Sequence, residues 1–239
     1  MMSNNIFQRT EKKYVLSEEQ FCNLQIGINK RMKQDEYGHH TICNIYFDTD
    51  CFDLIRTSLE KPLYKEKLRI RSYGIPTENG KVFLELKKKY DGVVYKRRQE
   101  CSWKDAKRYL ILNEQLRQST QILNEIDWFK HYYQPTPKAF LSYERDAWYG
   151  TLDQDLRVTF DRNILGRGSE LDFQYGIWGS EILPKNKILM EIKTSQAIPL
   201  WLCTLLEENE IYPTSFSKYG KWYEFHSASF VQLGGVINA

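Results

Sequence analysis

Apolar and polar residues alternate with a period of two through most of this chain, the signature of strands with one buried face. The segment IFQRTEKKYVL predicts a first strand, and HTICNIYFDTD, EKLRIRSYG, KVFLELKKKY and GVVYKRRQECS predict four more. AFLSYERDAWYG, LRVTFDRNI and ILMEIKTS predict three in the second half. Asn79-Gly80 and Asp91-Gly92 supply turns between neighbouring strands. The period changes to helical in a few places. SEEQFCNLQIGINKRM predicts a helix capped by Ser17, with Gln20 completing a capping box and Phe21, Leu24 and Ile28 on one stripe. CFDLIRTSLE predicts a short helix, and Ser102 to about His131 two more, ended by Pro135 and Pro137. IPLWLCTLLEEN predicts a helix with Pro199 in its first turn, while YPTSFSKYGKWYEF reads as mixed. Many antiparallel strands with few helices give an α+β fold, with a closed barrel as one form of it.

The polar faces of these strands are ionic. Arg9, Glu11 and Lys13 share a face, as do Arg69 with Arg71, Glu85 with Lys87, and Lys96 with Arg98. Tyr143 with Arg145, Arg157 with Asp161, and Glu191 with Lys193 continue the pattern. One reading sets these faces in solvent, as in many antiparallel sheets. The other turns them into a barrel lumen, with the apolar faces covered by helices outside. An unpaired buried cation costs several kcal/mol, so a lumen with a cationic excess needs water or a polyanion. A chain of phosphates fits best, because it carries many charges and takes bidentate hydrogen bonds from Arg. Glu191 is the strongest carboxylate candidate for a hard divalent cation.

Composition narrows the context. The chain has 239 residues, 41% apolar and 27% charged, with a net charge of only +3. This suits a soluble globular protein and gives no global excess for coating nucleic acid. No repeat, low-complexity tract or Pro/Gly/Ser-rich linker divides it, so a single domain over 1–239 is expected. Five scattered cysteines without a C-x-x-C pair argue against structural zinc and for a reducing compartment. No apolar run approaches the roughly 18 residues that span a bilayer, and a cytoplasmic location is expected. His39-His40 sits in a turn-like polar stretch, and His131 and His226 lack partners at ligand spacing. In KKK at 87–89 only Lys87 and Lys89 share the inward parity, Arg97 points outward, and Cys101 lies opposite the ionic face. Trp148, Trp201 and Trp222 read as packing residues.

The ordered set RTEKKYVL, NIYFDT, KLRIR, FLELK, VYKRR, SYERDAW, LRVTFD, MEIKT and SFSKYG spans nearly the whole chain. In that set the sequence resembles the VTC domain, the polyphosphate polymerase module of the triphosphate tunnel metalloenzyme, or CYTH-like, superfamily. The resemblance implies an eight-stranded antiparallel β-barrel with helices packed outside. It implies transfer of the γ-phosphoryl group of ATP to a growing inorganic polyphosphate chain, with Mn²⁺ or Mg²⁺ as cofactor. Arg69, Arg71, Lys87 and Arg145 would clamp the transferring group. Arg9, Lys13, Lys96, Arg98, Tyr143, Arg157, Lys193, Ser217 and Lys218 would bind substrate, and Glu191 with Glu11 would serve the metal. A membrane-protein partner is compatible with the resemblance, though no residue identifies one; no nucleic-acid partner is expected. The superfamily opens with E-x-E-x-K, whereas Arg9 stands at the first Glu position here. That departure speaks against a hydrolytic two-metal site. Ser215 stands where some relatives carry Lys, so that one phosphate contact is either missing or supplied by Lys221. Triphosphate hydrolysis on the same fold, and a non-catalytic polyphosphate-binding module, are the alternatives.

Overall fold

The computed structural model describes residues 10–234 except 92, 117 and 118, and of residues 37 and 228–234 only the backbone. Nine strands occur in chain order: β1 (Thr10–Ser17), β2 (Met32–Asp48), β3 (Tyr64–Tyr73), β4 (Lys81–Tyr90), β5 (Val93–Ser102), β6 (Thr136–Gly150), β7 (Arg157–Arg167), β8 (Ser180–Glu181) and β9 (Lys187–Thr194). Six helices join them: α1 (Glu18–Ile28), α2 (Asp53–Leu59), α3 (Trp103–Leu110), α4 (Gln121–Tyr133), α5 (Leu200–Glu208) and α6 (Lys218–Gly234). Eight strands form one antiparallel path in the order β1-β9-β7-β6-β2-β3-β4-β5, and two-residue β8 pairs with β7 off that path. Among the described residues no ladder joins β1 to β5. The outer edge of β1 instead takes the Thr214 amide on the Lys13 carbonyl at 2.7 Å. β5 meets α4 through its outward side chains, where Arg97 bonds Glu125 at 3.2 Å, and Gln99 accepts from Thr120 at the helix cap.

The eight expected strands are therefore present, and the alternation decides which face of each looks out. On the outer side, Val82, Leu84, Leu86, Leu68 and Ile70 pack under Trp103 and Tyr109 of α3 and Ile126 and Phe129 of α4. Val158, Phe160, Met190 and Ile192 pack under Leu24 and Ile28 of α1 and Leu202 and Leu206 of α5. The α1 cap forms as predicted, with Ser17 Oγ accepting from the Gln20 amide and Gln20 Oε1 accepting from the Ser17 amide. Trp148 and Trp201 pack against this second cluster, and Trp222 is buried in a third. Cys101 packs on the first.

Three elements differ from the reading of the pattern. The helix expected over 17–32 stops at Ile28, and β2 begins at Met32, so His39 and His40 lie on a strand, not in a turn. A bulge between Gln34 and His39 masks the alternation there. The mixed tail resolves into α6. Its first turns carry Tyr219 and Trp222 onto Ile42, Tyr46, Tyr143 and Leu189, so α6 fills part of the concavity. Asp48 holds this junction: it accepts from the amides of Thr49, Leu54 and Ile55 and from the Tyr219 hydroxyl, all within 3.0 Å. It thus caps α2 in place of the N-cap residue Phe52, whose side chain has no acceptor to offer. No helix among the described residues is long and apolar enough to cross a membrane.

Candidate functional site

The inward side chains of the sheet enclose a cavity of about 1430 Å³. Twelve Lys and Arg side chains, leaving aside Arg97 at its border, line it against four carboxylates among the described residues. Such an excess makes the cavity a receptor for anions, and the two-residue repeat of the strands builds it in tiers. Lys67, Lys87 and Lys96 stand in register across β3, β4 and β5, and Arg69, Glu85 and Arg98 form the next tier.

Glu85 organises that second tier. Its side chain is 1% exposed, and one carboxylate receives Arg69 (2.6 Å), Lys96 (2.8 Å) and Arg98 (2.6 Å), with Arg71 at 3.7 Å. Burial alone would raise its pKa; Arg69, Arg71 and Lys96 reverse that and hold it below the usual carboxylate range. Arg69 also donates to the Tyr46 hydroxyl at 2.8 Å. Arg71 donates to Asn44 Oδ1 at 3.1 Å and to the Tyr143 hydroxyl at 3.3 Å. The alternation put Glu85 on the ionic face but gave it no role, because its partners are set by strand register.

A second cluster faces the first. Arg145 forms a bidentate pair with Asp161 at 2.6 and 2.7 Å. Lys218, at the start of α6, reaches Asp161 at 2.6 Å and Glu191 at 3.3 Å. Glu191 also meets Lys193 at 2.9 Å, Lys13 at 3.4 Å and Arg145 at 3.7 Å. Burial opposes its charge, but Lys218, Lys193 and Lys13 carry its pKa well below the ordinary value. Tyr143 lies between the clusters, with Arg145 5.1 Å and Lys218 4.5 Å from its ring. Burial would raise its phenol, yet Arg71, Arg145 and Lys218 bring it down.

The remaining cations are less neutralised. Lys67 has Ser217 Oγ at 3.4 Å as its polar partner, and burial beside Lys87, Lys65 and Lys13 lowers its ammonium to about 7. Burial also lowers Lys87, with Glu11 opposing the shift across the lumen. This β1–β4 encounter shows how far the sheet curls, since the strands are six places apart along the path. Lys13 donates to the Phe216 carbonyl at 2.9 Å and meets Glu11 at 3.4 Å.

Arg157 lies on the rim, half exposed and paired with Asp35 at 3.2 Å. Lys221 turns away onto Glu224 on the outside of α6, so it does not replace a contact at Ser215. Arg97 is drawn outward to Glu125. Arg9 lies outside the described residues. The structure thus brings the other candidate residues around one cavity and adds Glu85, Lys67 and Tyr46 to its lining, with Asn44 and Asp161 buried behind Arg71 and Arg145. Asp161 was visible in the alternation; Lys67 was visible as the residue preceding the LRIR pattern on the same parity.

The donor set fits a hard divalent cation in part. Glu191 and Glu11 are both held ionised, Glu11 by Lys87, Lys193 and Lys13 against the cost of burial. They offer carboxylate oxygens to the cavity, and among the described residues no cluster of three or more His, Cys, Asp or Glu side chains completes a shell. A hard cation here would draw its further oxygens from phosphate or water.

The family described as the VTC domain matches residues 8–226. No curated protein matches the chain. Among solved structures, it is similar to HpAC1 from Hippeastrum, named for adenylyl cyclase activity and reported with a dominant triphosphatase activity. That similarity has a TM-score of 0.52 at 16% identity, over 87% of this chain and 92% of that one. The PH1819 protein of Pyrococcus horikoshii OT3 is similar with a TM-score of 0.48 at 13% identity, over 90% and 98%. The first of these likenesses shows a shared fold.

Proposed function

The chain belongs to the VTC domain family, and from that premise we propose that it is a polyphosphate polymerase that elongates inorganic polyphosphate with the γ-phosphoryl group of ATP. The observation that carries this reading is the convergence of cations from separate strands and α6 on one cavity with few carboxylates. In the step proposed, a terminal oxygen of the polyphosphate attacks the γ-phosphorus. The bond from that phosphorus to the bridging β–γ oxygen breaks, and ADP leaves with its electron pair. The attacking oxygen is already ionised at neutral pH, so the site needs no general base. Phosphoryl transfer of this kind depends on alignment and charge neutralisation. Arg69 and Arg71 grip the transferring group from β3, Lys87 from β4 and Arg145 from β6. Lys13, Lys96, Arg98, Tyr143, Lys193, Ser217 and Lys218 extend the hold along the chain of phosphates, with Arg157 at the rim. Glu191 and Glu11 would hold Mn²⁺ or Mg²⁺, which when bound neutralises phosphate oxygens.

Purified protein incubated with ATP and Mn²⁺ or Mg²⁺ tests this. Long polyphosphate with stoichiometric ADP is expected. Free phosphate without polymer would make the protein a triphosphatase, and binding without turnover would make it a polyphosphate-holding module. Arg71→Ala should lose polymer synthesis while retaining a cooperative unfolding transition.

A further inference from the structure

The two ends of the inward rows differ in chemistry. Along β3 the inward residues run Lys67, Arg69, Arg71, Tyr73, about 7 Å apart at two residues per step. Tyr73 ends the row and is 49% exposed. Phe83 of β4 meets its ring at 5.8 Å and 84°, and His40 of β2 at 5.5 Å and 55°. Neither pair is stacked face to face, so the three rings wall a notch that keeps a ring face for a planar guest. Arg98 closes the inner side, 4.3 Å over Phe83 and 3.4 Å from the Tyr73 hydroxyl. All four line the main cavity. At the lysine end the tyrosines of these strands, Tyr64, Tyr90 and Tyr95, occupy the outward parity.

We propose that the His40–Tyr73–Phe83 notch receives the purine base of the nucleoside triphosphate donor. Its phosphates then run inward past Arg98, Arg71 and Arg69, and the acceptor polyphosphate enters from the lysine end. This rests on the polymerase reading and gives its substrates a direction. Recognition is by stacking, because the Tyr73 hydroxyl is engaged by Arg98 and His40 Nδ1 faces the Gly38 carbonyl at 3.2 Å. Stacking tolerates any purine, so ATP and GTP bind alike and CTP more weakly.

Dissociation constants for ATP, GTP, CTP and inorganic tripolyphosphate test this in the whole chain and in Tyr73→Ala, Tyr73→Phe and His40→Ala. Tyr73→Ala should weaken ATP and GTP about tenfold and leave tripolyphosphate within about twofold. Tyr73→Phe should keep purine affinity, and His40→Ala should repeat the selective loss in smaller measure. Equal losses for ATP and tripolyphosphate in the Tyr73→Ala and His40→Ala variants, or no loss for either, would overturn the notch. Equal affinity of the unaltered protein for ATP and CTP would do the same. Failure of that protein to bind any of the four anions would instead bring down the polymerase reading beneath it.

Discussion

Glu85 is the residue on which the cation cluster of β3 and β5 balances. One buried carboxylate restrains three guanidinium groups and an ammonium, and without it they repel one another. Glu85→Gln should cost about 3 kcal/mol at neutral pH. Tripolyphosphate should then restore more of the melting temperature in the variant than it adds to the unaltered protein. Because the folded pKa of Glu85 lies below its ordinary 4.5, its stabilisation is complete above about pH 4.5 and fades as pH falls below. The gap between the two melting curves should narrow under acid; a gap constant with pH would remove Glu85 from this role.

Lys67 has the opposite sign. Its folded pKa near 7 lies below the ordinary 10.5, so its charge burdens the fold fully below about pH 7. The burden vanishes as pH rises toward 10.5. A bound polyanion favours the ammonium, so binding should take up a proton above pH 7 and weaken as pH rises. Calorimetry with tripolyphosphate at pH 8, in two buffers of different ionisation enthalpy, should find less uptake in Lys67→Met. Identical uptake in both proteins would refute the assignment.

At the scale of the element, α2 and α6 share one anchor. Asp48→Ala strands two helix amides and the Tyr219 hydroxyl, at an expected cost of about 2–4 kcal/mol in chemical denaturation. Gly166 is equally constrained: a Cβ there would lie 2.5 Å from Trp222 and 2.7 Å from Leu141. Gly166→Ala should lower the denaturation midpoint by overpacking, about 1–3 kcal/mol. Elements were legible where local signals agreed. Ser17 and Gln20, three apart, announced the start of α1, and the i, i+2 ionic pairs announced the inward faces. The start of β2 was hidden because Phe21, Leu24 and Ile28 continue into NKRM without a Gly or Pro to stop the helix. Neither Asp48 nor Glu85 could be given its role from sequence alone. The Asp48 partner Tyr219 lies 171 positions away, and the ties of Glu85 follow from registers that only pairing fixes.

At the scale of the molecule, the cavity concentrates charge that the overall +3 conceals. Polyphosphate affinity should therefore fall steeply with added salt, as each lysine or arginine paired with phosphate releases a counterion. A flat response between 50 and 200 mM salt, tested as concentrations about that far apart, would place binding away from the cavity.

Among the described residues the sheet curls without joining and has two end strands, and each unguarded strand edge invites another chain to pair with it. Here the guards are borrowed: α4 stands beside β5, and Thr214, carried just ahead of α6, holds β1. Resistance to self-association is thereby tied to the segment from Thr214 into α6, since a chain cut before Thr214 bares the β1 backbone and should self-associate through it.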